Sequence, residues 1–203
     1  MAMLLPSISI LAKAPIPGAA KTRLIPAIGA HAAAVLQERM TARTAETALA
    51  AVLGKVTLWC APDASHPSFR DIAVRHRITL RPQPAGDLGA RMLGAMQDGP
   101  TLVIGCDCPG LAPAHLQDAA SALHAHDAVF IPAEDGGYVL IGSNAPQPGL
   151  FENVTWGTSK VGAQTRAQAE ALGLRLYELA PLWDVDTEDD LARAEKEFPE
   201  LRL

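Results

Sequence analysis

Residues 101–109, T-L-V-I-G-C-D-C-P, constrain the fold of this chain more than any other stretch. Thr101–Ile104 is a short, apolar, β-branched run ended by Gly105, the pattern of a strand buried on both faces of a parallel sheet. Asp107 follows, a lone acid between Cys106 and Cys108, and Pro109 stops the strand from continuing. In an open α/β sheet, ligands bind beyond the carboxyl ends of the strands, which is where Asp107 falls. A carboxylate there either holds a divalent cation, which in turn holds phosphate oxygens, or caps the following turn. The other loops discriminate between these readings.

Strand-like and helix-like segments alternate before this stretch. Residues 7–12, S-I-S-I-L-A, read as the first strand. The loop after it, residues 13–26, holds three prolines, one glycine and the cations Lys13, Lys21 and Arg23. Its prolines forbid a regular helix or strand. Its cations stand at the carboxyl end of a strand, where Lys offers phosphate a point charge and Arg a fork. The alternative is a solvated loop. It is neither a Walker A motif nor a G-x-G-x-x-G loop.

An alanine-rich helix is expected over residues 30–53, with Ala33, Leu36, Met40, Thr44 and Ala48 on one stripe and Gly54 ending it. A strand at 56–60, a helix at 67–76 and a strand at 78–81 follow. Residues 83–92, Q-P-A-G-D-L-G-A-R-M, begin as a loop and turn helical near Asp87. That acid is a plain N-cap, or Gly86 and Gly89 let a ligand approach the backbone. The helix is expected to reach Gln97.

Beyond residue 109, a helix at 113–124 and a strand at 128–131 lead into P-A-E-D-G-G-Y-V-L-I-G, residues 132–142. Glu134 and Asp135, before a Gly-Gly pair, orient a hydroxylated substrate or help bind a metal. Alternatively they form a hairpin turn before a strand at 138–141. Trp156 is a core anchor or a stacking wall for a base or sugar ring, in a loop entering a helix that ends before Gly173. A strand at 174–179 precedes L-W-D-V-D-T-E-D-D-L, where Asp184 and Asp186 share one side if extended. Thr187 and Asp190 have a capping-box layout, opening a last helix to about Phe198.

The 203 residues, with neither repeat nor linker, suit one domain covering 1–203. With 49% apolar and 19% charged residues, the composition is that of a globular chain. A formal charge of −5 argues against a general nucleic-acid binder. No apolar run reaches the roughly 18 residues of a membrane span, and the apolar start reads as a strand rather than a leader. Three cysteines suggest no disulfide framework, and a cytoplasmic location is expected.

The alternation defines an α/β fold, a single-domain, mostly parallel twisted sheet flanked by helices. Right-handed crossovers lay strands three, two and one outward from the centre, with the strand at 101–104 on the other side of strand one. The loop carrying Lys13, Lys21 and Arg23 then lies beside Asp107, an arrangement suited to a metal–diphosphate ligand. Asp107 takes the cation, Lys21 and Arg23 the phosphates. A plain salt bridge is the alternative.

Six motifs in order, spanning nearly the whole chain, carry a family resemblance. They are K-A-P-I-P-G-A-A-K-T-R-L, G-D-L-G-A-R-M, G-C-D-C-P, E-D-G-G-Y-V-L-I-G, W-G-T and D-V-D-T-E-D-D-L. Together they resemble the bacterial arsenosugar-biosynthesis-type glycosyltransferases, of the GT-A nucleotide-diphospho-sugar transferase superfamily. The chain also looks like a cousin of the 2-phospho-lactate and molybdenum-cofactor guanylyltransferases.

The resemblance implies a nucleotide or nucleotide-sugar, a small-molecule acceptor, and Mg²⁺ or Mn²⁺ at Asp107. Lys13, Gly18, Lys21 and Arg23 match the phosphate-side loop; Gly86, Asp87, Leu88 and Gly89 fall in the loop near base or ribose. Asp107, Lys21 and Asp135 are the expected catalytic residues. Glu134, Asp135, Gly136, Gly137 and Trp156 are expected around the acceptor. Where the family pattern is G-T-D-S-P, this chain has cysteines at both flanking positions, so any hydroxyl role there is lost. No second acid stands beside Asp107, leaving Asp186 or Asp135 as the second metal ligand.

The expected reaction is glycosyl transfer from a nucleotide-diphospho-sugar by a monomer or homodimer that binds neither nucleic acid nor membrane. The alternative is nucleotidyl transfer to a small phosphorylated substrate with release of pyrophosphate. A non-catalytic binder, and a thiol site at Cys106 and Cys108 with Cys60, are further readings; zinc usually asks for four Cys or His ligands.

Overall fold

The β-branched and apolar runs of this sequence pair into one seven-stranded sheet in the computed structural model, which describes residues 4–96 and 99–203. The strands are β1 (Ser7–Lys13), β2 (Val56–Ala61), β3 (Thr79–Pro82), β4 (Thr101–Ile104), β5 (Ala128–Pro132), β6 (Tyr138–Ser143) and β7 (Leu176–Glu178). Their spatial order is β3-β2-β1-β4-β6-β5-β7, so the expected placement of β1 beside β4, with β2 and β3 beyond it, is found. β6 departs from the parallel pattern. It runs antiparallel to both β4 and β5, because the D-G-G segment turns the chain straight back as a hairpin. β4 is thus buried on both faces, as its composition demands, but has a parallel neighbour on one side only.

Among the described residues six helices cover the sheet: α1 (Ile25–Ala50), α2 (Pro67–His76), α3 (Leu88–Ala95), α4 (Pro113–Ala122), α5 (Val161–Ala171) and α6 (Glu188–Glu197). Residues Ile8 and Ile10 of β1 and Leu102 and Ile104 of β4 face α1, α2 and α4 in one core. Val103, Phe130 and Ile141 face the opposite way, toward Met92 of α3 and Ala169 of α5. Burying each such side chain contributes about 1.5–3 kcal/mol. Ser9, on this second face, donates to the Ala95 carbonyl at 2.7 Å and accepts from the Trp59 indole at 3.1 Å.

α1 starts five residues earlier than residue 30. Pro26 lies in its first turn, where a missing N–H costs nothing, and Gly29 at φ 81° kinks the helix rather than preceding it. Its buried stripe includes Ala33, Leu36, Met40, Thr44 and Ala48, as the spacing predicts. It stops at Ala50 rather than near residue 53. Val52 takes the left-handed conformation just beyond its end, and Gly54 instead donates its N–H to the Pro6 carbonyl. β7 and α4 are shorter than the sequence suggests, and the expected helix end at Gln97 lies outside the described residues. No described helix is long and apolar enough to cross a membrane.

Candidate active site

The loop leaving β1 winds over the carboxyl ends of β1 and β4. Lys21 adopts the left-handed conformation, φ 45° and ψ 46°, at the head of a short 3-10 turn, Thr22–Leu24. Its side chain is only 4% exposed. The ammonium lies 2.5 Å from the Asp107 Oδ1 and donates to the Val185 carbonyl at 2.8 Å. Val185 returns the contact by donating its N–H to the Asp107 carbonyl at 2.8 Å. A buried ammonium is costly unless paired and hydrogen-bonded, and here it has a carboxylate and a carbonyl. Arg23, next along the loop, pairs with Asp186. The Asp107 side chain is about half exposed and, like Lys21, lines a cavity at the strand ends.

Three acids converge beside this pair. Asp135, Asp184 and Asp186 each offer an oxygen, and these oxygens lie within 4.8 Å of one another. The β5–β6 turn supplies Asp135, whose Oδ1 accepts the Gly137 N–H at 2.8 Å. The segment before α6 supplies Asp184 and Asp186 on the same side, as their alternation predicts. The Thr187–Asp190 capping box fixes that segment: Asp190 Oδ2 accepts from the N–H groups of Asp186 and Thr187 at 3.2 and 2.8 Å. Burial, then Asp135, Asp186 and Asp107, pushes the Asp184 carboxyl up to about 6. Three clustered carboxylates of a hard, oxygen-only donor set suit Mg²⁺ or Mn²⁺ rather than a soft metal.

These groups line a cavity of about 550 Å³, within the range of small-molecule sites. Lys13, Leu88, Gly137 and Trp156 also line it. Gly18, Gly86, Asp87, Gly89, Glu134 and Gly136 do not. Asp87 caps α3, accepting from the Ala90 N–H at 2.9 Å. The space a Cβ would take at Gly89 belongs to the Trp156 ring, 2.6 Å from that position. Glu134 turns toward Arg193 of α6, 3.8 Å away. Trp156 is both a packed residue and a wall: its ring sits beside Phe151, centroids 6.4 Å apart, and its indole N–H is buried without a partner among the described residues.

Three contributors were not among the sequence candidates. Asp184 carried a signal, its alternation with Asp186. Arg91 sits inside the G-D-L-G-A-R-M motif. Gln83 donates to the Ala12 and Trp59 carbonyls at 3.1 and 3.0 Å, pinning its loop to the ends of β1 and β2. Nothing local announces such a cross-tie.

The flanking cysteines serve packing. Cys106 donates to the Leu11 carbonyl at 3.4 Å, and burial pushes the thiols of Cys60, Cys106 and Cys108 up to about 12. Thiolate chemistry is therefore disfavoured at neutral pH. A disulfide-exchange reagent at pH 8 is expected to label none of the three in the native protein and all three after denaturation. Rapid labelling of the native protein would contradict this account.

In fold the chain is similar to solved nucleotidyl- and sugar-transferases, and it is an enzyme of that fold. A family profile described as "Uncharacterized protein conserved in bacteria (DUF2064)" matches residues 44–158, and the chain belongs to that family. Among solved structures, the chain is similar to a candidate nucleotide-diphospho-sugar transferase from Desulfovibrio desulfuricans, 28% identical with a TM-score of 0.85. The match covers 97% of this chain and 89% of that one. It is also similar in fold to a nucleotidyl transferase from Methanothermobacter, 13% identical, TM-score 0.67, covering 98% and 99%. A third likeness is to a Mycobacterium tuberculosis protein in complex with manganese, 17% identical, TM-score 0.54, covering 93% and 97%. No functionally curated protein matches the chain.

Proposed function

We propose that this protein is a metal-dependent transferase that binds a nucleotide-diphospho-sugar and passes its glycosyl group to a small acceptor. One observation carries the reading: a buried lysine held on Asp107 at the end of β4, next to three convergent carboxylates. The similarity to a candidate nucleotide-diphospho-sugar transferase, and the motif resemblance to the arsenosugar-biosynthesis-type glycosyltransferases, support the sugar donor.

Asp135, Asp184 and Asp186, with Asp107 beside them, would hold Mg²⁺ or Mn²⁺; a cation bound there supplies charge stabilisation for a departing nucleoside diphosphate. The manganese complex of a similar fold supports this choice of ion. Lys21 and Arg23 bind and orient the diphosphate, and each charge-assisted bond contributes roughly 1.5–3 kcal/mol. Lys21 also fixes the rotamer of Asp107. Asp135, on the β5–β6 turn, is the group we assign to orient the acceptor hydroxyl beside the cation. Trp156 supplies an apolar wall for the acceptor. The reading takes the chain as one catalytic domain, and the three protonated, unbridged thiols suit a cytoplasmic setting.

A thermal-shift screen of nucleotides and nucleotide-sugars, with and without Mg²⁺ or Mn²⁺, tests this on wild type and Asp107→Ala. A ligand at about 100 times its dissociation constant stabilises by about 2.7 kcal/mol. A metal-dependent rise with a nucleotide-sugar, absent in Asp107→Ala, is expected. No rise with any of them would remove the reading.

A second reading is nucleotidyl transfer to a phosphorylated substrate. Asp107 has no second acid beside it in sequence, and three cations gather at and just after the end of β1, an arrangement suited to a triphosphate. Release of pyrophosphate, rather than of a nucleoside diphosphate, would select it.

A further inference from the structure

The charged side chains lining the cavity number four of each sign: Lys13, Lys21, Arg23 and Arg91 against Asp107, Asp135, Asp184 and Asp186. Two pairs are already closed, Lys21 with Asp107 and Arg23 with Asp186. That leaves two acids facing two cations that make no ion pair among the described residues, Lys13 and Arg91. Lys13 is an exposed, flexible point charge at the end of β1. Arg91 is different. It is partly buried on α3, its backbone N–H donates to the Asp87 carbonyl at 3.1 Å, and its Nε donates to the Gly86 carbonyl at 3.1 Å. The guanidinium is therefore held by one edge, while its two terminal nitrogens make no hydrogen bond or ion pair among the described residues. Gln83 ties the start of the same loop to the end of β1, so Arg91 and Lys13 rise from joined segments.

We propose that Arg91 is a phosphate-binding residue of this cavity, a pre-set fork for a diphosphate that acts independently of the Lys21–Asp107 pair and of any cation. A guanidinium tethered at Nε has surrendered much of its rotamer freedom before the ligand arrives, so less is lost on binding. Its planar pair of remaining donors matches two phosphate oxygens. The count of charge agrees: a divalent cation on the acidic trio offsets the charges of Asp135 and Asp184, which no ion pair balances among the described residues, and a dianionic group offsets Lys13 and Arg91. The assignment rests on the cavity being a nucleotide site, and gives that site a second anion contact on the wall formed by α3.

The test uses inorganic pyrophosphate as probe, titrated calorimetrically in EDTA so that no cation contributes. Wild type, Arg91→Gln and Arg91→Lys are compared, with melting temperatures measured alongside. Arg91→Gln is expected to weaken pyrophosphate binding about tenfold or more, the loss of one charge-assisted contact. It should also flatten the salt dependence of binding. Arg91→Lys, keeping charge without the fork, should fall between the two. Arg91→Gln binding within twofold of wild type would overturn the assignment. So would a wild type that ignores pyrophosphate in EDTA, or a loss that tracks the melting temperature and is not partly restored by Lys. The outcome is separable from the transferase reading. Pyrophosphate binding that needs Arg91, without any nucleotide response, removes the transferase and keeps the fork. Metal-dependent nucleotide-sugar binding untouched by Arg91→Gln does the reverse.

Discussion

Replacing Asp184 by Asn is expected to abolish metal-dependent ligand binding and turnover while leaving the metal-free protein more stable at pH 7. Both effects come from the same crowding. The Asp184 carboxyl is raised to about 6 by burial and by Asp135, Asp186 and Asp107. In the unfolded chain it ionises at its ordinary value, so as pH climbs from about 4 to 6 the unfolded state gives up its proton first and folding stability falls. Above about 6 the penalty is complete; below about 4 it is absent. Asn keeps the shape and removes the charge. Metal-free Asp184→Asn should therefore match wild type at pH 4 and exceed it at pH 7 by on the order of 1 kcal/mol, after allowing for solvent screening. Denaturant titrations in EDTA at the two pH values measure this. Wild-type affinity for Mg²⁺ or Mn²⁺ should in turn weaken as pH drops below about 6, because proton and cation compete for one carboxylate. An Asn variant with unaltered cation affinity would take Asp184 out of the site.

Gly136→Ala is expected to be the most damaging single-methyl change near the site. Gly136 has φ 91°, and a Cβ there would lie 2.3 Å from the carbonyl oxygen of Ser159. Backbone cannot yield as the end of a side chain can. The N–H of Gly162 donates to the Gly136 carbonyl at 2.9 Å, binding the β5–β6 turn to the head of α5. The substitution should cost about 2–4 kcal/mol through strain and overpacking. It should also displace the neighbouring Asp135 and reduce cation affinity at least tenfold, even where the variant folds. Gly105→Ala is the control: a Cβ at that position meets nothing within 4 Å, and its melting temperature should stay close to wild type. Equal melting temperatures for the two variants would contradict the packing described.

Where the physics is local, the chain discloses its structure. The β-branched run at 101–104 and Asp107 beyond it announce a strand and the acid at its end, and D-V-D announces two carboxylates on one side. Proximity of the cationic loop to Asp107 followed from crossover handedness alone. The early start of α1 is local but ambiguous in sequence, because its proline reads as a breaker and acts as a first-turn residue. Features decided by distant partners were not legible. Gly89 reads as a gap left for a ligand, but the gap is filled by Trp156, 67 residues along the chain. The acidic trio joins a turn after β5 to a segment after β7, strands whose adjacency no local pattern specifies.

The Lys21–Val185 hydrogen bond spans 164 positions of sequence, and the Arg23–Asp186 pair 163. The site is in this sense a clasp rather than a pocket carved into a finished sheet. Its two halves meet only when the whole intervening fold is in register. A chain cut and left unassembled anywhere between residues 24 and 184 would hold a lysine with no carbonyl to receive it and aspartates with no cation to answer them. Chemical competence in such a molecule is all or nothing, and no partial fold can carry a partial site.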